Sequence, residues 1–385
     1  MTIPRKGTRL AFIIVLAMIA FAPPCPAAVE SEASAREAAK LIDAGRYREA
    51  LSLLEKEGSK AANDPETQTL LARAYLGTGR YREAETTLTK SGVSAAKADP
   101  VRLQLLARSL ETQGDLDRAL QIMTEAVEAK QKSVPSTETV EGANALAEYR
   151  TRLGELAFRA GLLDLAKEQF QKGVSLVNQA HAKLHEQGIP HDETDPRMFA
   201  AGATAGLARV YTAKGENARA ERTWRGVAAR ADDPAAVASL AAFSLAKNDP
   251  QAARRQFDRA LRLSENKPAH RRARALILIH RDESSAEALT LAEAAYNDGP
   301  DVYARDTLAW VLHRRGENAR ASEILSPALE VGIRDPLVLY HAGAIAQALG
   351  KKEDAKRLLA LALKINPAFD PIAARDARQA LDRLR

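Results

Sequence analysis

Cysteine, aromatic residues and long apolar runs are what this chain has least of. One cysteine, Cys25, in 385 residues excludes an internal disulfide framework and any cysteine-based zinc site. Two Trp, eight Tyr and eight Phe stand against 77 alanines. Large sheets draw on aromatic and β-branched residues, whereas alanine suits helices with close backbone contacts, so the composition argues against a sheet protein. The apolar run from Leu10 to Phe21 has twelve residues, short of the about 20 that a comfortable bilayer span needs. Catalytic signatures are missing too: there is no G-x-S-x-G, no H-E-x-x-H and no phosphate-binding glycine loop. An enzyme is therefore not expected, and no cofactor is implied.

The first residues read as an address. Arg5, Lys6 and Arg9 precede the apolar run, and Pro23, Pro24, Cys25, Pro26, Ala27 and Ala28 follow it. A basic start, a short apolar stretch and small residues at the exit make a secretory signal peptide over 1–27. A lipid-anchored Cys25 is one alternative. Such sites carry a Leu-like residue three places before the cysteine and a small one just before it, and Ala22 and Pro24 fit this poorly. An uncleaved N-terminal anchor is the other alternative. Cleavage leaves no stable transmembrane span. It also removes three basic residues and no acidic ones, so the formal charge falls from +6 to +3. That is weak support for nucleic-acid binding, and none is expected.

The chain repeats itself. DAGRYREALSLL at 43–54 recurs as GTGRYREAETTL at 77–88, with Gly45 and Gly79 34 residues apart. The same place falls at Gly114, Gly161, Gly215, Asn248, Glu283, Gly316 and Gly350, mostly within one residue of that period. Two intervals carry insertions. Five residues after each place stands an alanine: Ala50, Ala84, Ala119, Ala166, Ala220, Ala253, Ala288, Ala321 and Ala355. Four residues further on comes a large apolar residue, with Ala292 the exception. The pattern predicts helix, tight turn, helix. Glycine takes the positive φ that ends the first helix. Alanine sits where the second helix crosses the first, and the large residue shares its face. Asp-Pro pairs at 64–65, 99–100, 233–234 and 335–336 suit helix starts, with Asp as cap and Pro at the first position.

The period, the Gly–Tyr–x–x–Ala core (Gly45, Tyr47, Ala50; Gly79, Tyr81, Ala84) and the closing prolines Pro300 and Pro367 resemble the tetratricopeptide repeat family over about 31–368. The resemblance implies an all-α, right-handed superhelical solenoid of about nine helix-turn-helix units with a C-terminal capping helix. The expected division is 1–27 signal peptide, 31–130 units one to three and 131–177 an insertion with unit four. Next come 178–199, a histidine-containing insertion, 200–368 with units five to nine, and 369–385 as the cap. The seventh unit lacks the turn glycine and departs from the pattern.

In that family the first helix of each unit lines a concave face that touches ligands. By register, the resemblance places Arg73, Arg108 and Arg209 at one level, with Glu155 and Trp310 beside them in other units. At the end of the first helix it places Arg159, Arg281 and Arg314, preceded by His280 and His313, while Tyr303 and Tyr340 face the same side. Such a groove would be basic with aromatic anchors, suited to carboxylates of a protein partner. The asparagine of carboxylate-clamping relatives is replaced here by Arg or Glu, so that clamp is not carried over. The implied work is a periplasmic scaffold or assembly factor with one or more envelope proteins as partners. Self-association through an uncapped end is a further possibility. The alternative is a binder of a non-protein ligand: anionic polysaccharide, peptidoglycan or metal. Metal would point to His181 and His185, one helical turn apart, and to His191, Asp192 and Glu193; histidines at this spacing are common by chance, so a solvated helix extension with a polar loop is the simpler reading, and no metal site is assigned. A second basic run, from Arg254 to Arg274, suits anionic lipid or polysaccharide, or is a solvated face.

Overall fold

The structure, a computed structural model, describes residues 26–56, 64–89, 99–190, 199–265, 267, 270–281 and 285–384. The signal peptide with Cys25, and His191, Asp192 and Glu193 of the insertion, lie outside the described residues, apart from Pro26 and Ala27. The described residues form helices and no strand. They fall into nine antiparallel pairs and a last single helix. The pairs are α1 (Pro26–Asp43) with α2 (Tyr47–Lys56), α3 (Pro65–Gly77) with α4 (Tyr81–Thr89), and α5 (Pro100–Thr112) with α6 (Leu116–Ser133). Then come α7 (Val140–Arg159) with α8 (Leu163–Glu186), α9 (Ala201–Ala213) with α10 (Asn217–Arg230), and α11 (Pro234–Ala246) with α12 (Pro250–Leu263). The last three are α13 (Arg271–His280) with α14 (Ser285–Asp298), α15 (Val302–Arg314) with α16 (Asn318–Glu330), and α17 (Pro336–Ala348) with α18 (Lys352–Ile365), followed by α19 (Ala373–Arg383). The expected nine-unit solenoid with a capping helix is present. No helix among the described residues is long and apolar enough to cross a membrane.

Each expected local feature has its physical counterpart. The turn glycines Gly45, Gly79, Gly114, Gly161, Gly215, Gly316 and Gly350 all have φ between 70 and 84°, and Asn248 takes 59°. Asparagine is the side-chain-bearing residue that tolerates this region best. The nine repeating alanines are closed to solvent, none exceeding 1% exposure. Asp64, Asp99, Asp233 and Asp335 each accept a backbone N–H in the first turn of the helix they start. Residues 178–186 of the second insertion continue α8, which with 24 residues is the longest helix.

The solenoid also closes on itself. The turns of units two, three and four meet the junctions that follow units seven, eight and nine. A Cβ on Gly79 would stand 3.0 Å from the Pro300 carbonyl oxygen. One on Gly114 would collide with the Gly332 carbonyl, and one on Gly161 with that of Ile365. Polar contacts seal the same seam. The Val302 N–H donates to the Tyr81 hydroxyl at 2.7 Å, and the Asn366 side-chain amide donates to the Phe158 carbonyl at 2.6 Å. Leu76, Tyr81 and Ala84 of unit two share one apolar core with Leu308, Val311 and Leu325 of unit eight. Successive turns of the superhelix therefore stack edge to edge. At these three turns glycine answers two demands, a positive φ and the absence of a side chain.

Gly215 has the same backbone conformation, and nothing approaches the place of its Cβ. Gly215→Ala is expected to cost about 1 kcal/mol, the conformational penalty alone. Gly114→Ala adds a collision with the facing backbone and is expected to cost about 3 kcal/mol. Denaturant unfolding measures both, and X-ray scattering in solution should show a larger radius of gyration for Gly114→Ala only.

Candidate functional site

The inner face is built by the first helices, which pack on one another in succession along most of the chain. Arginine is frequent there, yet the helix ends bring carboxylates to it. Arg73 on α3 meets Asp43, the last residue of α1, at 2.9 Å. Arg108 on α5 meets Asp301 at 3.2 Å across the seam. Asp301 caps α15 through the Ala304 N–H at 2.7 Å and also accepts from Arg272 at 3.3 Å. Arg159, the last residue of α7, is bonded to Glu111 at 2.5 Å and lies 3.7 Å from Asp335, the cap of α17. Arg209 pairs with Glu155 and lies over the Phe158 ring at 5.0 Å. Arg281 pairs with Asp258. The face expected to be basic is thus compensated at these positions, by Glu155, which register along the repeat had placed there, and by acids such as Asp301 and Asp335 that the seam delivers.

Burial and charge pull these groups in opposite directions. Burial lowers the Arg108 guanidinium, and Asp301 more than restores it, leaving it above its ordinary value. Arg159 is likewise depressed by burial and held well above its ordinary value by Glu111, with Asp335 and Glu155 adding to it. Glu155 is raised by burial but ends below its ordinary value because of Arg209 and Arg159. Asp335 is the opposite case: burial keeps it above the ordinary carboxylate range in spite of Arg159.

The aromatic residues gather toward the C-terminal end. Trp310 on α15 is buried and stacks on His341 of α17 with ring centres 4.0 Å apart. His341 is itself bonded to Asp306 through Nδ1 at 2.8 Å, a buried pair that the repeat register did not single out. His313 lies 5.0 Å from the Trp310 ring and shares a 2.6 Å hydrogen bond with Asn318; burial lowers its pKa. Tyr340 is half-buried between Trp310 and Phe369, and burial pushes its hydroxyl up to about 12. The hydroxyl of Tyr303 and the Trp310 indole N–H are buried without a hydrogen-bond partner among the described residues. Arg314 is exposed, as is His280, whose ring lies parallel to Phe257 at 6.4 Å. The structure therefore joins Trp310, His313 and Tyr340 in one cluster, ties Arg108 and Arg159 to the seam, and leaves Arg73 and Arg281 in separate pairs. The seam was hidden because its partners lie about 200 residues apart in sequence. Asp301 and Asp335 carried a partial signal as residues that start helices.

His181 and His185 lie together on α8 with ring centres 4.8 Å apart. Among the described residues no three His, Cys, Asp or Glu side chains converge as metal ligands do.

Comparison with known proteins agrees with the repeat architecture. Two family models, both described as Tetratricopeptide repeat, match residues 41–101 and residues 102–133 with 337–369. No curated protein matches. Among solved structures, a tetratricopeptide repeat protein from Parabacteroides merdae is 17% identical, covering 74% of this chain and 98% of that one with a TM-score of 0.38. A Rap protein complexed with Competence and Sporulation Factor is 12% identical, covering 94% and 100% with a TM-score of 0.48. Values this low say nothing of this chain's work.

The Glu155 carboxylate gives a pH test. Its pKa is depressed by folding, so its contribution is fully present above the ordinary carboxylate range and is lost as pH falls through the depressed value. Glu155→Gln is expected to lower stability at neutral pH by about 1–3 kcal/mol, since Arg209 loses its partner. The difference between wild type and variant should shrink on acidification below about pH 4, as read by denaturant unfolding across pH.

Proposed function

Since this chain is a tetratricopeptide repeat protein, we propose that it is an exported interaction scaffold or assembly factor that holds protein partners rather than an enzyme. Tetratricopeptide repeats imply protein partners, and the repeat array carries that much of the reading. The finer reading places the protein in the periplasm, held to envelope proteins through its inner face. The basic start, short apolar run and small-residue exit of 1–27 support export.

The inner face suggests how a partner is held. Its arginines already meet carboxylates, so an acidic partner segment exchanges one carboxylate for another instead of filling a bare cationic groove. Exchange is easiest where the internal partner is exposed. Arg73 qualifies, because Asp43 keeps 70% of its side chain in solvent. It fails at Arg108, because Asp301 is nearly closed off and caps a helix as well. Exposed Arg314 and half-buried Tyr340 stand at the other end, beside the buried Trp310. Guanidinium groups recognise carboxylates through two parallel bonds, and aromatic side chains anchor interfaces.

The test is capture from the native host. The tagged chain is expressed with its own N-terminal segment, the envelope is cross-linked, and co-purifying proteins are identified by mass spectrometry. One dominant envelope protein is expected, lost at high salt and weakened about tenfold or more by Arg73→Glu with Arg314→Glu at an unchanged melting temperature. Capture of no protein, or retention unaffected by both salt and the double variant, would sink the reading.

A further inference from the structure

The outer face of units five and six is unlike the rest of the molecule. It is formed by α10 and α12, the second helices of their units. Arg259 of α12 donates to the carbonyls of Ala228 and Ala231 at the end of α10, and so ties the two helices side by side. Arg222 and Arg225, three residues apart, are exposed on α10. Arg255 and Arg262, seven apart, are exposed on α12. These spacings put each pair on one helix face. None of the four has a carboxylate partner among the described residues.

Four acids of the region are engaged elsewhere, while Asp232 and Glu265 stand exposed at the C-terminal ends of the two helices. Glu221 pairs with Lys247 at 3.0 Å, Asp258 with Arg281, and Asp233 and Asp249 cap helices. Elsewhere, arginines at the turns before second helices and on several of those helices meet carboxylates. In the turns, Arg46 has Glu49 and Arg80 has Glu83 and Glu55. On α6, Arg118 has Asp115 and Glu85. Arg320 has Glu293 and Glu317, and Arg357 has Asp354. That leaves single arginines without a carboxylate, Arg48 and Arg82, on α2 and α4, against the four on α10 and α12, beside which Arg230 lies over the Phe199 ring.

We propose that this face is a docking surface for an anionic lipid bilayer, with the four guanidinium groups bound to headgroup phosphates. Guanidinium pairs with phosphate in a fork geometry and gives up its hydration more readily than an ammonium. Between the arginines stand small residues: Ala218, Gly226 and Ala229 on α10. No exposed aromatic or large aliphatic side chain offers the buried anchor that a protein interface requires. Lipid headgroups diffuse laterally and meet spaced cations on a gently curved face without a matching shape. Each cation near such a surface contributes roughly fivefold in partitioning, and the attraction fades within a Debye length. This surface is separate from the inner face, so it leaves a bound protein partner free to stay.

Flotation of the full chain with vesicles tests it, using one part phosphatidylglycerol to two parts phosphatidylcholine against phosphatidylcholine alone. Wild type is expected to float with the anionic vesicles in low salt and to be released in high salt. Arg222→Glu, Arg225→Glu, Arg255→Glu and Arg262→Glu together should lower partitioning by about a hundredfold or more with an unchanged melting curve. Should the fourfold variant misfold, the two glutamine pairs, Arg222→Gln with Arg225→Gln and Arg255→Gln with Arg262→Gln, should each cost about tenfold or more. Equal flotation of wild type and folded variants overturns the proposal, as does equal binding to neutral vesicles through the apolar run at 10–21. Tighter binding of soluble poly-glutamate than of anionic vesicles, lost in the same variants, would reassign the face to an acidic protein.

Discussion

The closest approach of two helices, limited to the thickness of one methyl group, is the constraint on which this molecule depends. It is imposed nine times, at the repeating alanines, each shut off from solvent. A larger side chain there would separate the helices of a unit and change how the next unit lies on it. The residue one turn on, such as Phe170, Trp224 or Leu359, fills the space that this approach leaves between units. Small and large positions together set the rotation from unit to unit. In a solenoid that rotation accumulates, so a local packing rule becomes the pitch of the whole superhelix.

Pitch in turn decides the seam. Unit two comes to lie on the junction after unit seven, and the register then holds for two further units. Gly79, Gly114 and Gly161 therefore carry a steric demand that Gly45, Gly215, Gly316 and Gly350 do not, although all share the same backbone conformation. Closure also redistributes charge. It carries the carboxylates of Asp301 and Asp335 to Arg108 and Arg159, the second of which already holds Glu111 of a neighbouring unit. The same acids begin α15 and α17 as caps, so one side chain serves the start of a helix and the joining of two turns.

The structure divides its charges between two surfaces. Inside, Arg73, Arg108, Arg159, Arg209 and Arg281 each meet a carboxylate. Outside, on α10 and α12, Arg222, Arg225, Arg255 and Arg262 have no carboxylate partner among the described residues, and Glu221, Asp258, Asp233 and Asp249 are committed to neighbouring units or caps. The proposed protein partner and the proposed anionic bilayer would therefore meet different faces of one frame. Apolar packing holds the frame in both cases, and the polar groups determine what it meets.

The sequence by itself determined the units. Glycine at the turn, alanine at the crossing, a large residue one turn later and Asp-Pro at helix starts are interactions within a few residues, and each local rule is visible in the order of residues. A helix extension was one of two readings of the 178–199 insertion, and α8 does continue through 178–186. Only the tertiary structure decided which charges meet. Arg108 and Asp301 are 193 residues apart, and Asn366 reaches Phe158 across 208. Their meeting depends on the summed rotation of several units, and a small change in each would move the seam by a whole residue or more. Tyr81 shows the two levels in one side chain: its place in the Gly–Tyr–x–x–Ala core is a matter of sequence, and its hydroxyl's bond to Val302 is a matter of pitch.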